Sequence, residues 1–305
     1  MQQSQLLNPR YLVMIIPSRW FAGGRGLDNF RNKMMHDRHI KLLYDYIDSK
    51  ECFAGVDVSG GITYFLRDSI FNGACKFYNI KNNQVCYRKR FLDEFNIIVR
   101  DNYAIDIIHK ICKSNAISMD KTISVQNPFG FISSYRGKEL HFENAIKLKT
   151  SSRDYYVKYE EIKKNKEIVP KYKVIFGKAT CEHGGIPDKT GKYKIFTSLE
   201  ILPKNEICTQ SYFVAASFDN YDSAKNCLNY LKTKFVRFLV LQALTSQDLS
   251  KDKFIFVPLL DFSTSWTDTE LYAKYNLTQD EIDYIESMIK PMDLPSDTDS
   301  EPQNA

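Results

Sequence analysis

Tyr11-Leu-Val-Met-Ile-Ile-Pro-Ser-Arg-Trp-Phe-Ala-Gly-Gly-Arg-Gly-Leu-Asp-Asn-Phe-Arg31 is the stretch on which the reading of this sequence turns. It opens with an unbroken apolar run, Leu12 to Ile16, too short for a helix and closed by Pro17. A run without period-two alternation predicts a strand buried on both faces of a parallel sheet. The glycine-rich loop 21–27 follows, and Asp28 is placed to cap a helix carrying Phe30 and Met34 on one face. Ile40 to Ile47 and Ile62 to Leu66 read as two more strands. Strand, helix, strand is a fragment of an α/β unit. Three strands cannot cover both faces of such a sheet, so either later segments add strands or the unit is the second part of a larger fold.

Composition sets the outer bounds. A chain of 305 residues suggests about two domains. Lys and Arg number 42 against 37 Asp and Glu, a net +5 that permits a nucleic-acid partner without demanding one. With 43% hydrophobic and 26% charged residues, the chain can bury a core, which excludes collagen-like, disulfide-rich and wholly disordered classes. No apolar run approaches the ~20 residues of a membrane span, and the first residues do not form a secretory signal. The expected compartment is the cytoplasm, with no membrane partner. Cys52, Cys75, Cys86, Cys112, Cys181, Cys208 and Cys227 form no Cys-x-x-Cys pair and read as reduced, mostly core-filling thiols.

Further along, residues 147–178 carry ten Lys or Arg against four acids, with Tyr155, Tyr156, Tyr159 and Tyr172 between them. This stretch reads as solvent-facing. After Asp222, the three- and four-residue spacing of Ala224, Cys227, Leu228, Leu231, Phe235, Phe238 and Leu239 predicts one long helix. Thr278 and Glu281 form a capping box for a last helix, buried through Ile282, Ile285, Met288 and Ile289 and ended by Pro291. The acidic, proline-bearing residues 293–305 read as a disordered tail.

Here a family resemblance becomes specific. The 11–31 stretch resembles the strand and loop that follow the catalytic loop in adenine-specific DNA methyltransferases of bacterial restriction–modification systems, in the group whose cofactor motif comes first and target-recognition region last. The family's next hairpin is matched by Glu51-Cys-Phe-Ala-Gly-Val-Asp-Val-Ser-Gly-Gly-Ile-Thr-Tyr-Phe-Leu66. Phe256-Val-Pro-Leu-Leu-Asp-Phe262, Trp266-Thr-Asp-Thr-Glu-Leu-Tyr272 and Ile285-Glu-Ser-Met-Ile-Lys290 are similar to the endings of such proteins. The resemblance implies an α/β fragment, the edge of a Rossmann-like methyltransferase sheet, followed by an α+β target-recognition domain. Residues 1–80 then close the catalytic domain, 81–119 connect, and 120–292 form the DNA-binding domain.

Two motifs of the family are missing. No x-Gly-x-Gly loop lies between an early strand and helix; Gly23-Gly24-Arg25-Gly26 corresponds to a later loop. Asn8-Pro-Arg-Tyr11 imitates the catalytic Asn-Pro-Pro-Tyr, yet it departs at Arg10 and precedes its strand, whereas a catalytic loop must follow one. No catalytic, cofactor-binding or metal-binding residue is assigned, and S-adenosylmethionine is expected to serve the complete enzyme, not this chain alone. The resemblance places a base-stacking aromatic at Tyr64 or Phe65. Adjacent strand residues face opposite ways, so at most one can stack, and packing of both into the sheet is the plain alternative. Lys163, Lys164, Lys166 and Arg136 are the candidate DNA contacts, the last on the possible recognition loop 127–136; a solvated charged surface is the alternative there.

Metal and nuclease readings are weak. Cys181-Glu-His183 has no second ligand pair nearby, His36 and His39 read as surface residues, and Pro187-Asp188 lacks a downstream Glu-x-Lys. The chain is therefore expected to be part of a site-specific adenine methyltransferase, its partners double-stranded DNA and an upstream-encoded polypeptide carrying the cofactor and catalytic loops. The alternatives are a non-enzymatic DNA-binding specificity subunit or remnant, and the C-terminal part of a fused restriction endonuclease–methyltransferase.

Overall fold

A short helix α1 (Gln2–Leu6) leads into strand β1 (Tyr11–Pro17), followed by α2 (Asp28–His36), β2 (Ile40–Tyr46), β3 (Ile62–Asp68), β4 (Cys75–Lys81), β5 (Gln84–Arg90) and α3 (Ala104–Cys112). The computed structural model describes residues 2–23, 26–81, 84–181, 187–244 and 247–292; the centre of the glycine loop and the acidic tail lie outside them. The chain divides into two compact units, a first built from Met1–His109 and two short later segments, and a second built from Lys110–Cys181, Lys189–Leu241 and the residues from Asp248 onward. Among the described residues, no helix is long and apolar enough to cross a membrane.

The first unit is a five-stranded sheet in the order β1-β3-β2-β4-β5. β3 runs antiparallel to both β1 and β2, while β2 and β4 are parallel, so β1, β2 and β4 share one direction. The expected parallel sheet is therefore a mixed one. β1 is also not buried on both faces: it is the end strand, with α2 on one side only, and Tyr11, Val13 and Ile15 are 58, 64 and 52% exposed. Its alternate residues Met14 and Ile16 turn to a core of Trp20, Phe21, Met34, Met35, Leu43, Phe65 and Phe77. Leu27, not Asp28, caps α2; Asp28 sits in the first turn, where its carboxylate suits the positive helix end and meets Arg31 at 2.8 Å.

One buried polar cluster ties the strand ends together. The Arg100 guanidinium donates two hydrogen bonds of 2.7 Å to the Asp45 carboxylate and one of 2.8 Å to the Gly60 carbonyl. Ser18 donates to Asp45 at 3.1 Å and shares a hydrogen bond with Thr63. Asp45 is fully buried, so its charge depends on these partners. Gly61, at φ +79°, is needed here: a Cβ would meet the Ile47 carbonyl at 2.6 Å and Arg100 at 2.8 Å.

The second unit contains β6 (Ile146–Lys149), β7 (Tyr155–Val157), β8 (Tyr172–Gly177), β9 (Leu199–Leu202), β10 (Glu206–Cys208) and β11 (Tyr212–Phe218), then α4 (Tyr221–Lys232), α5 (Lys234–Gln242), α6 (Asp268–Lys274) and α7 (Gln279–Met288). The strands form two three-stranded sheets, β10-β6-β7 and β11-β8-β9. Phe129, Leu148, Val157, Ile175, Leu202, Ile207 and Val214 join them in one core. The 147–178 stretch is thus only partly solvent-facing, because Tyr155 and all of β8, Lys173 included, are buried. The long helix expected after Asp222 is two helices: Thr233 leaves helical geometry at ψ 150°, and the Asp268 carboxylate accepts from the Lys234 and Phe235 amides to start α5. The Thr278–Glu281 capping box forms as expected. Three of the seven cysteines are buried, two are half-buried, and Cys112 and Cys181 are exposed.

Lys173 holds one corner of this unit. Its Nζ donates to the carbonyls of Val169 (2.9 Å), Lys171 (2.6 Å) and Pro203 (2.9 Å), and burial pushes its pKa down to about 7. Between about pH 7 and the ordinary lysine range the unfolded chain binds a proton that the folded chain does not, so stability rises with pH there, by up to about 1.4 kcal/mol per unit. Lys173→Met removes that rise, as urea unfolding from pH 7 to 10 will show; an unchanged slope would mean Lys173 stays charged in the fold. Arg100→Leu leaves the Asp45 carboxylate buried alone and should cost about 3–5 kcal/mol in the same assay. A loss under about 1 kcal/mol would show that the cluster is not what joins the strand ends.

Candidate functional site

Because β1, β2 and β4 share a direction, their carboxyl ends lie along one sheet edge, where ligands gather in α/β proteins. Two segments lie at that edge: the turn Ser18–Trp20 after β1 and the loop 47–61 between β2 and β3. The loop is shaped from within. The buried Ser49 hydroxyl donates to the Val56 carbonyl and accepts from the Val58 amide, both at 2.8 Å, and Asp48 accepts from the Lys50 amide. This leaves Phe53 and Val56 facing outward, 40 and 45% exposed. Phe53 was not singled out from the sequence. The signal available was an aromatic ring between polar turn residues inside Glu51–Leu66, the very stretch that carries the resemblance.

Tyr64 and Phe65 fall on opposite faces of β3. Phe65 is 0% exposed among Met34, Leu43 and Phe77 and cannot reach a ligand. Tyr64 stands on the other face in a row of tyrosines that crosses four strands. Its ring stacks on Tyr44 at 4.4 Å, Tyr44 stacks on Tyr78 at 4.2 Å, and Tyr78 on Tyr87 at 5.4 Å. The register explains the row, since Tyr44 is paired with both Tyr64 and Tyr78, and Tyr78 with Tyr87. Desolvation pushes the Tyr64 hydroxyl up to about 12, so it is a neutral donor at any ordinary pH. Val85 and Tyr87, both 63% exposed, extend this uncovered face.

In the second unit, ion pairing separates the cations of the basic stretch. Lys147 meets Asp154 (3.2 Å) and Glu206 (3.6 Å), Lys149 meets Glu200 (3.0 Å), Arg153 meets Glu139, and Lys171 meets Asp219 (3.2 Å). Among the described residues, Lys163, Lys164, Lys166 and Arg136 have no acidic partner. Lys166 lies 5.0 Å from the Tyr159 ring, and Arg136 lies 5.6 Å from the Tyr155 ring while donating to the Ser133 and Tyr135 carbonyls. Lys163 is brought to the 127–136 loop: its amide donates to the Phe129 carbonyl at 3.2 Å, and its stem fills the space a Cβ of Gly130 would need, 2.8 Å away. The Tyr135 hydroxyl donates to Glu161 at 2.6 Å, which holds that carboxyl below its usual range and pushes the phenol up to about 12. This short bond joins the loop to the lysine-bearing turn.

The described residues do not fit S-adenosylmethionine. The buried carboxylate at the strand ends, Asp45, has both oxygens engaged by Arg100, and the close approach that Gly61 permits is filled by the Tyr46 and Ile47 carbonyls. No group of three or more His, Cys, Asp or Glu able to hold a metal ion occurs among the described residues. His36 faces Asp93 and His39 bonds the Phe71 carbonyl, so the two histidines do not converge. Residues 182–186, which include Glu182 and His183, lie outside the described residues.

Comparison with known proteins places these observations. Residues 1–53 match the Eco57I restriction-modification methylase family. An adenine-specific methylase of Mycoplasma pneumoniae is 32% identical over 135 residues, 40% of this chain and 32% of that protein. The crystal structure of the type IIG restriction endonuclease BpuSI is a slight likeness, with a TM-score of 0.30 and 11% identity over 90% of this chain and 42% of that one. The matched part is thus about a third of the curated relative's length.

Proposed function

Taking the chain as a relative of the adenine-specific methylases of restriction–modification systems, we propose that it supplies the base-holding sheet edge and the DNA-reading unit of such an enzyme. The catalytic part runs on through β5, beyond the boundary near 80 that the sequence suggests, and the residues of the second unit read the target. The cofactor and amine-binding loops come from a polypeptide encoded upstream. The observation that carries this reading is β1, which lies inside the family-matched segment yet pairs with β3 alone among the described residues and has an apolar outer side. A strand so composed is at home between neighbours, and the tyrosine face beside it asks for a covering layer.

In the complete enzyme, S-adenosylmethionine held outside the described residues would supply the methyl group for the exocyclic amine of an extruded adenine. This chain's part is to hold that base and the DNA. An extruded base needs apolar surface on its faces, because stacking replaces what leaving the helix cost. Phe53, exposed at the carboxyl edge, is placed for this; Tyr64 keeps the role as the second candidate, with one ring face already against Tyr44. Lys163, Lys164, Lys166 and Arg136 neutralise phosphates, being cations that meet no carboxylate among the described residues. The engaged Asp45 favours a second reading for the chain alone, a specificity subunit that binds DNA without chemistry.

The deciding experiment is labelled-methyl transfer from S-adenosylmethionine to unmethylated DNA, by the chain alone and mixed with the upstream polypeptide. Activity in the mixture only is expected; silence in both would leave the specificity subunit. In the active mixture, Phe53→Ala should lower methylation at least about tenfold with DNA binding unchanged, in line with ~1–3 kcal/mol for one stacked base. Loss with Tyr64→Ala instead would move the role to Tyr64, and loss with neither would remove it from this edge. Replacing Lys163, Lys164 and Lys166 by Gln should reduce the slope of log affinity against log salt by about 2–3. An unchanged slope would make that face merely solvated.

A further inference from the structure

In the second unit, the candidate loop 127–136 runs on into a tight excursion, residues 137–145, that is pinned at its base. Gly137 lies so close to β7 that a Cβ there would run into the Tyr156 carbonyl. Lys138 then adds to the outer edge of β7: its amide donates to the Tyr156 carbonyl at 2.9 Å, and its carbonyl accepts from the Tyr156 amide at 2.8 Å. Arg153, just before β7, holds the Glu139 carboxylate and donates to the Tyr155 hydroxyl at 3.0 Å. Past the tip, the His141 ring meets Tyr156 edge-on at 5.2 Å, and the Ala145 amide donates to the Phe142 carbonyl at 3.0 Å.

Between these anchors stands Leu140, 82% exposed. Past residue 7, no large apolar side chain among the described residues is more open to water. Apolar surface is driven out of water, and a slack loop lets such a side chain fold back; with the backbone tied on both sides, this one stays out. Arg136 and Lys138 lie just before it, the Lys138 ammonium 4.8 Å from the Phe142 ring. The carboxylates of the excursion are Glu139, held by Arg153, and Glu143, exposed beyond the tip.

A stiff apolar tip beside cations has what entry into a base stack requires. The cations seat phosphates, and the apolar group fills the space between base steps. A base taken out of the duplex leaves such a space open. We propose that Leu140 is an apolar wedge that enters the stack of double-stranded DNA at the step a base has left. The inference rests on the DNA-reading role proposed for the second unit, and it is separate from the aromatic that holds the extruded base.

The test uses the full chain and a short labelled duplex, intact or carrying one abasic site, with binding read by fluorescence anisotropy at equal salt. The wild-type chain should bind the abasic duplex at least about fivefold more tightly, because its gap is already open. Leu140→Ser should remove that preference while affinity for the intact duplex and the thermal midpoint hold, and Leu140→Met should keep it. A preference that survives in Leu140→Ser overturns the wedge and leaves the DNA-reading role standing. So does the absence of any preference in a wild-type chain that binds the intact duplex. Failure to bind either duplex overturns the DNA-reading role, and the wedge with it. Substitution of Lys163, Lys164 and Lys166 should weaken both duplexes alike, so phosphate contact and wedge are read apart.

Discussion

The ion pair between Asp45 and Arg100 is the constraint on which the first unit depends. Asp45 lies on the core side of β2 beside Thr63 of β3, at the level where the apolar layer of Leu43, Phe65 and Phe77 gives out. A carboxylate there is tolerable only because a guanidinium reaches it from a segment more than fifty residues away and binds both oxygens. The same guanidinium fixes the Gly60 carbonyl, so the loop bearing Phe53 starts and ends on a rigid base. The sheet edge is therefore organised by charge, and its orientation of exposed rings is a by-product of satisfying one buried acid.

Much of the first unit was legible in the sequence because its signals are local. The run Leu12–Ile16, the helix beginning near Asp28 and the strands near Ile40 and Ile62 all appear within a residue or two of expectation. What failed was pairing. Whether β1 lies inside or at the end of a sheet depends on neighbours that no local pattern encodes, and the antiparallel insertion of β3 between β1 and β2 is a long-range fact. The same limit explains the break at Thr233, since the carboxylate that starts α5 arrives from Asp268, far along the chain.

The basic stretch shows the opposite error, a local signal read too literally. Lysine at 173 suggested solvent, yet its long stem carries the ammonium out of the apolar layer to three carbonyls at a strand end. Alternation hidden among the charges, Ile146-Lys-Leu-Lys149, was the signal that two faces were present. At the candidate sites, Arg136 and the three lysines were visible by composition, and their distinction from paired neighbours emerged only in three dimensions. Phe53 lay inside a quoted motif but gave way to the more conspicuous Tyr64-Phe65 pair. Exposure, not residue type, separates them.

The row of stacked tyrosines has a consequence for the chain as a material. An aromatic face beside an apolar strand that pairs on one side only among the described residues is a template for like surfaces, with Lys76 and Lys89, two residues along from Tyr78 and Tyr87, setting charge beside it. Self-association of the separate chain should thus be short-ranged and strengthened by salts that favour apolar burial, in contrast to the salt-weakened attraction of its lysines for polyanions. Purification at moderate salt consequently sits between two opposing tendencies, one set by rings and the other by ammonium groups.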